Sequence, residues 1–544
     1  MNAITGKIGG LQKAAFWLAS FSAVSLLLGF VRDRILAHYF GAGLELDMYY
    51  AAFEIPDILF ATAASIASTS ILLPMFFERE SDREKLQNFI NSVFSYFSIF
   101  LISSCAVVFI FMPELVKVFF RSFNQDSALT VIHFSRILLL SPLFLGLSNF
   151  FGSIIQYEKR FLLYSLSPLF YNMGIIMGLW MGAATFGVIA AVYGVALGAF
   201  LHLLVQATFV LTSKERPRFS RKIFSSASWN EIKKVFFLSV PRTISLSVGS
   251  LVGLFFVSLA SGLKEGSIAV FTLAFNLQSV LLSLIGGSYS LATFPALAEH
   301  FAKKEMESLI KCLSQGLRYI IFWSLPTAAL FIVLRAHIVR VVLGSGAFDW
   351  SDTRMTAAVL ALFVASVVFQ SIQLFLTRAH YAFGKTRLPL IMNLTGAVST
   401  ILLAYFILHN FNQFNFIFSY LNSVLKVESL GRTAVLALPL SFSLGAILSS
   451  SLLWLSLPKE VSKEIGKAIL RTWIDALVAS LTLALSTLLA LRVLSRFFVL
   501  DTALNVFLHG LLSGIVGIFF AILALLLLKN KELKGLLTGT ILNH

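Results

Sequence analysis

LLPMFFE (Leu72–Glu78) closes one apolar stretch of the chain, and TFPALAE (Thr293–Glu299) closes another. Their prolines, Pro74 and Pro295, stand 221 residues apart (295 − 74), and so do Glu78 and Glu299. A second pair keeps the same offset: SPLFYN (Ser167–Asn172) and LPLIMN (Leu388–Asn393) share Pro-Leu-x-x-Asn, with Pro168 and Pro389 again 221 apart (389 − 168). Two anchors with one offset make the chain an internal duplication.

The stretches between these anchors are apolar enough to cross a membrane. Hydrophobic residues make up 58% of the 544 and charged residues only 12%, with a mean hydropathy of +0.87. Runs of about 20 apolar residues match the hydrocarbon thickness at about 1.5 Å rise per residue. Backbone groups in lipid need internal partners, so spans are helices or parts of a closed barrel. Continuous runs rather than alternation choose helices. Fourteen spans are predicted, at 11–38, 47–77, 88–111, 129–155, 163–185, 188–212, 232–260, 267–298, 312–334, 352–380, 388–409, 432–456, 470–494 and 503–528.

The common offset equates the second span with the eighth and the fifth with the eleventh, so the repeat unit is six spans. An even unit puts the two copies parallel in the membrane, related by an axis along its normal. The predicted fold is therefore an all-α polytopic membrane protein of two parallel six-helix repeats plus two C-terminal helices. Residues 1–225 form the N-terminal lobe, 226–457 the C-terminal lobe, and 458–544 the last two helices with a tail. A substrate is expected between the lobes, where such transporters bind their cargo.

Charge fixes the expected orientation. The net charge is +16, and the basic residues crowd into alternate loops, about two dozen on one side against roughly nine on the other. By the positive-inside rule both termini are cytoplasmic, as an even number of spans requires. The basic linker KERPRFSRK (Lys214–Lys222) is read as contacting anionic headgroups rather than nucleic acid. No small-residue cleavage site follows the first apolar segment, which is therefore a retained span. Cys105 and Cys312 lack metal-ligand spacing and are taken as small hydrophobes.

Charges inside spans are costly and usually face a cavity or a partner. Arg32, Asp33 and Arg34 stand side by side in GFVRDR (Gly29–Arg34). An interfacial cluster with an internal ion pair would account for them. The favoured reading is a cationic wall of a cavity, because Asp47, Glu54 and Asp57 follow at i, i+7 and i+10, near one helical face. Arg242 sits about ten residues into the seventh span beside Pro241, where a kink can open a cavity. Arg136 and Arg318 are placed at the interface, and Asp475 with Arg471 at i, i+4.

Catalytic constellations are missing. His133, His202, His337 and His380 have no metal spacing, and GSGAF (Gly344–Phe348) lacks the lysine and strand of a phosphate loop. The expectation is a transporter rather than an enzyme, without cofactor, metal or ATP-driven step.

LGFVRDRILAHYFGAGLELDMYYAAFEIPDIL (Leu28–Leu59) resembles the first two spans of the MurJ (MviN) family of the MOP flippase superfamily. NFFGSIIQYEKRF (Asn149–Phe161), GSGAFDWSDT (Gly344–Thr353) and RAHYAFGKTRLP (Arg378–Pro389) are similar to later parts of that family. The resemblance implies flipping of a polyprenyl-pyrophosphate-linked peptidoglycan precursor, lipid II, across the bacterial cytoplasmic membrane by alternating access. It implies a cationic cavity for the pyrophosphate and a groove for the polyprenyl tail on the last two helices. Membrane lipids, and other cell-wall synthesis proteins, are the implied partners. Arg32, Arg34, Arg242 and Asn276 are then the candidate substrate-binding residues, with Ser25, Asp33, Asp47, Glu54 and Asp57 lining or gating the cavity.

Several family charges are absent: Leu26, Phe60 with Ala61, Ser65 with Ile66, and Phe275 with Asn276 stand where the family carries charged residues. The seventh, eleventh and twelfth spans hold no Asp or Glu, so the sodium site of some members is not carried over. Two alternatives remain at this point, another polyprenyl-linked oligosaccharide as cargo, or a transport-inactive scaffold.

Overall fold

The computed structural model describes residues 11–219, 226–385 and 387–537. Among these the regular structure is helical, with no strand. Contacts divide the chain into two units, Met1–Ile268 and Ala269–His544. The first holds α1 (Leu11–Phe40), α2 (Leu44–Ile66), α3 (Thr69–Phe77), α4 (Arg83–Phe119), α5 (Gln125–Leu138), α6 (Leu140–Tyr157), α7 (Phe161–Phe186), α8 (Ile189–Val210) and α9 (Ser226–Ser261). The repeat counts α9 as the opening span of the C-terminal lobe, and it packs along α2 and α4.

The second unit runs through α10 (Ser267–Leu282), which starts at the unit boundary, and a π-helical turn, Ser283–Gly287, to α11 (Ser288–Ala302) and α12 (Met306–Val342). It continues with α13 (Trp350–Ala365), α14 (Val367–Ala382), α15 (Arg387–His409), α16 (Asn415–Leu425) and α17 (Ala437–Leu455). The chain closes with α18 (Lys459–Leu494), α19 (Ala503–Leu527) and α20 (Lys531–Leu537). Eleven helical stretches among the described residues are long and apolar enough to cross a membrane, and the pair α13–α14, bent by 44°, makes a twelfth if it is one span. α1 and α9 are not in that count.

Four predicted spans are two helices laid end to end. The span expected at 129–155 breaks at Leu139 between α5 and α6, because Pro142 has no N–H to offer the Leu138 carbonyl. The span at 267–298 widens into its π turn at Gly286-Gly287. There a Cβ on Gly286 would lie 2.8–2.9 Å from Ser371 of α14, so only glycine allows that approach. The span at 47–77 breaks between Ile66 and Thr69, and that at 352–380 breaks at Ser366.

Prolines inside the spans leave carbonyls without their helical partner, and neighbours supply one. Pro56 frees the Ala52 carbonyl in α2, and Ser135 Oγ of α5 donates to it at 3.0 Å. Pro113 frees the Phe109 carbonyl in α4, and the next residue of α5, Arg136, donates to it from Nε at 3.2 Å with its guanidinium over the Phe109 ring. Helix starts outside the spans are capped by side chains that accept from orphan N–H groups. Asp82 caps α4, Asn124 caps α5, Asp349 caps α13 and Thr502 caps α19.

Small residues bring α7 and α8 together. Gly174 and Gly178 of α7 face Gly198 and Gly194 of α8, and a Cβ on Gly198 would stand 2.3 Å from the Tyr171 carbonyl oxygen. Without a hydrophobic driving force between helices in lipid, such close backbone packing is what holds them. Elsewhere the first unit is cored by aromatics, with Phe76, Phe89, Phe97 and Phe150 fully or nearly buried.

Candidate functional site

The charged cluster of α1 is built into a polar junction with α7. Adjacent residues on a helix do not face each other, so Arg32 folds its long side chain back to reach Asp33. Its Nε and Nη2 donate to Asp33 Oδ1 at 2.9 and 2.8 Å, and Asp33 is only 5% exposed. Arg32 Nη1 donates to Asn172 Oδ1 at 3.4 Å. Asn172 turns its amide nitrogen the other way, donating to the Ser25 carbonyl and to Ser25 Oγ, both at 3.2 Å. One asparagine therefore joins two turns of α1, and three of the five guanidinium donors of Arg32 are engaged. Arg34 is half-buried beside this junction. Tyr49 and Tyr50 of α2 lie within electrostatic reach of Arg32. The Tyr50 hydroxyl is buried with no hydrogen-bond partner among the described residues.

The three acids of α2 have separate surroundings. Asp47, in the first turn, is buried at 3% exposure, and its Oδ2 accepts from the Gly266 N–H at 2.6 Å. Gly266 has φ +82°, so Asp47 holds a left-handed glycine in the connection after α9. Glu54 lies half-buried against α9, where Gly253 leaves room: a Cβ there would sit 3.3 Å from Glu54 Oε2. Asp57 is exposed. The side chain of Arg242 lies outside the described residues. Asn276 lies on α10 of the second unit, half-buried, with its carbonyl accepting from Ser279 Oγ at 2.7 Å.

The second unit holds a polar ladder along α14 that the sequence had not marked. Gln370 donates to Ser366 Oγ at 2.9 Å and faces Gln278 of α10 at 3.4–3.5 Å. Ser443 of α17 donates to Ser366 at 2.9 Å. Gln373 donates to Asn393 of α15 at 3.0 Å, and Asn393 donates to Thr377 at 3.3 Å. Arg378 reaches the Gly287 carbonyl at the end of the π turn, at 3.4 Å. The repeat anchors thus do the same kind of work twice. Asn172 and Asn393 each tie their helix to a neighbour by side-chain hydrogen bonds. That equivalence was visible as Pro-Leu-x-x-Asn, but as a topological marker rather than a site.

Nothing in the first-unit cluster is a nucleophile held by a base. A guanidinium, an amide and hydroxyls around a buried carboxylate are groups suited to an anionic partner rather than to covalent chemistry. The sequence model of the family described as "Lipid II flippase MurJ" matches residues 36–508. The chain belongs to the MurJ family. A Borreliella burgdorferi protein named a probable lipid II flippase MurJ is 26% identical over 387 residues, 70% of this chain and 75% of that protein. A Thermotoga maritima protein of the same name is 27% identical over 380 residues, covering 69% and 74%. Among solved structures, a MurJ in its inward closed conformation superposes with a TM-score of 0.72 at 20% identity, covering 94% of this chain and 99% of that one. An inward-facing multidrug resistance MATE transporter of the MOP superfamily gives 0.65 at 17% identity, covering 82% and 95%. The fold is that of MurJ and the MOP transporters, in a multi-pass membrane protein.

Against the MurJ pattern, the uncharged replacements have settled into packing. Ser65 stands where an acid is expected, and it accepts from Thr243 Oγ1 of α9 at 2.9 Å. Phe275 stands for another charge and joins Phe271, Phe363 and Phe442 with ring centroids 5.3–6.4 Å apart. A buried charge would be ruinous inside that aromatic cluster.

Proposed function

We propose that this chain is a flippase for lipid II, the polyprenyl-pyrophosphate-linked peptidoglycan precursor, in the bacterial cytoplasmic membrane with both termini cytoplasmic. The observation that carries this is the family match, which spans residues 36–508 of 544 and begins two residues after the GFVRDR motif (Gly29–Arg34). The repeats 1–225 and 226–457 act as the two lobes of an alternating-access transporter, and 458–544 adds the groove for the tail. Arg32 and Arg34, with Arg242 and Asn276, receive the pyrophosphate, while Ser25, Asp33, Asp47, Glu54 and Asp57 line or gate its path. Arg suits this task because it contacts phosphate oxygens in a bidentate fashion. An anion entering the cluster competes with Asp33 for the Arg32 guanidinium, so loading the cargo breaks the internal ion pair.

Depletion of the protein in its host tests the proposal. Lipid II is expected to accumulate on the cytoplasmic face while its outward appearance, followed by a glycan-labelling reaction restricted to the outer surface, falls. Accumulation of a different polyprenyl-linked intermediate, with normal outward lipid II, would overturn the assignment. Double replacement of Arg32 and Arg242 by alanine is expected to abolish complementation.

A further inference from the structure

In the second unit α12 and α19 meet through two histidines. His337 Nε2 and His509 Nδ1 are 2.9 Å apart, with ring centroids at 5.1 Å. The other nitrogen of His509, Nε2, lies 3.1 Å from the Leu491 carbonyl oxygen of α18. A carbonyl only accepts, so the proton of neutral His509 is on Nε2 and its Nδ1 is an acceptor. His337 therefore donates from Nε2, and its own Nδ1 is a bare lone pair. That atom is buried with no hydrogen-bond partner among the described residues. The approach is built into the helix: Gly510 follows His509, and a Cβ there would stand 3.2 Å from His337 Cβ.

We propose that His337 and His509 form a binding site for a single proton, taken up at His337 Nδ1, and that occupancy loosens the contact between α12 and α19. A proton at Nδ1 makes His337 an imidazolium whose Nε2–H still bonds His509 Nδ1. A second proton would set two N–H groups against each other across the 2.9 Å contact, so the pair holds one added proton. Among the described residues no carboxylate bonds to or pairs with either ring. At this end of α12, α18 and α19 the charged groups are Arg335 and Arg340 on α12, Arg492 on α18, and Arg496 and Asp501 in the connection to α19; the remaining charges of α12 and α18, from Glu307 to Arg318 and from Lys459 to Asp475, lie toward the other end. Arg335 donates to the Ile332 carbonyl, and Asp501 accepts from Asn505. The terminal carbonyls of α12 and α18 favour a cation, but four arginines and burial without a counter-ion oppose it. A groove of about 320 Å³ runs beside the pair, and His337 is its one titratable lining residue among otherwise apolar side chains and glycines such as Leu334, Phe507, Gly510 and Gly514. Loosening the two helices widens that groove. The proposal does not depend on what the protein carries.

The full chain in lipid nanodiscs tests it. His337→Gln keeps an N–H donor for His509 Nδ1 but takes no proton. Hydrogen exchange of α19, corrected for its intrinsic pH dependence, is expected to accelerate about fivefold in the native chain as pH falls from about 7.5 to about 4, a window reaching well below the ordinary imidazole pKa of about 6.5 because burial opposes the cation. The His337→Gln chain is expected to show no such acceleration. An equal acceleration in both, or none in the native chain, would overturn the proposal. Nitrogen-15 spectra of the native chain's histidines read the same site without a substitution: one coupled pair taking up one proton supports it, and two rings titrating independently sink it.

Discussion

Asn172 carries more of the α1–α7 junction than either charge beside it. Asp33 neutralises Arg32 within one helix, whereas Asn172 bonds both Arg32 and Ser25 to α7. Replacing it with leucine removes the amide acceptor of Arg32 Nη1 and the amide donor to Ser25, and hydrogen bonds to charged groups contribute about 1.5–3 kcal/mol. Asn172→Leu is therefore expected to reduce flipping in proteoliposomes by roughly ten- to a hundredfold while Arg32 and Asp33 stay paired. Undiminished flipping would show the junction to be idle. At this scale the sequence exposed the charges but not their connector. Hydropathy makes an arginine in a span conspicuous, whereas an asparagine four residues after a proline reads as a helix irregularity. Only the three-dimensional return of α7 to α1 tells them apart. Asp47 shows what spacing within one helix leaves out. Helical spacing put it on a face with Glu54 and Asp57, yet its partner is a backbone N–H at Gly266, which no periodicity within α2 encodes.

Helices α7 and α8 form a hairpin whose geometry is dictated by what is missing from Gly174, Gly178, Gly194 and Gly198. A methyl on Gly198 would meet the Tyr171 carbonyl at 2.3 Å, so the hairpin must splay. Gly198→Ala is expected to cost about 1–3 kcal/mol, read as a lowered thermal midpoint in detergent. Since Asn172 is one residue from Tyr171, the same change is expected to weaken the α1 junction. An unchanged midpoint would mean the two backbones are free to separate. The existence of the spans was legible because lipid imposes long apolar runs. Their interruptions were less so: the break at Leu139 follows from Pro142, but the π turn at Ser283–Gly287 depends on Ser371 pressing against Gly286 from another helix.

Over the whole molecule, the duplication read from four short motifs gave the six-span unit, and the match to MurJ and MOP transporters gives the fold. The C-terminal addition was visible only as two more apolar runs, and polar bonds add to its apolar packing against α12. Arg318 Nε donates to Glu532 Oε1 at 2.7 Å, and Thr472 Oγ1 donates to the same oxygen at 2.7 Å, tying α20 to α12 and α18. Asn530 donates to Asp475 at 2.8 Å, beyond the predicted approach of Arg471 to Asp475, at 3.9 Å. Burial pushes the Glu532 carboxyl up, but the bonds from Thr472 and Arg318 outweigh it and hold it below its ordinary value of 4.5. A lowered folded value means ionised Glu532 stabilises the docked tail fully above pH 4.5, and that stability is lost as pH falls through the folded value. Proteolysis of the tail is expected to be slow at neutral pH and to speed up in this acid window, using a protease active there. Glu532→Gln is expected to be cleaved faster at neutral pH and to show a flatter profile. Identical profiles would detach the ion pair from docking.

The paired carbonyl rescues in α2 and α4 carry a consequence for how this sequence can drift. Ser135 is needed because Pro56 is there: it bonds the Ala52 carbonyl that the proline cannot. Pro56→Ala would restore the helical N–H and make the serine dispensable, so Ser135→Ala is expected to be harmful in the native chain and nearly neutral beside Pro56→Ala. The same dependence links Arg136 to Pro113. Two neighbouring positions of α5 thus owe their side chains to prolines in two different helices, and the order in which such changes arise decides which lineages survive them.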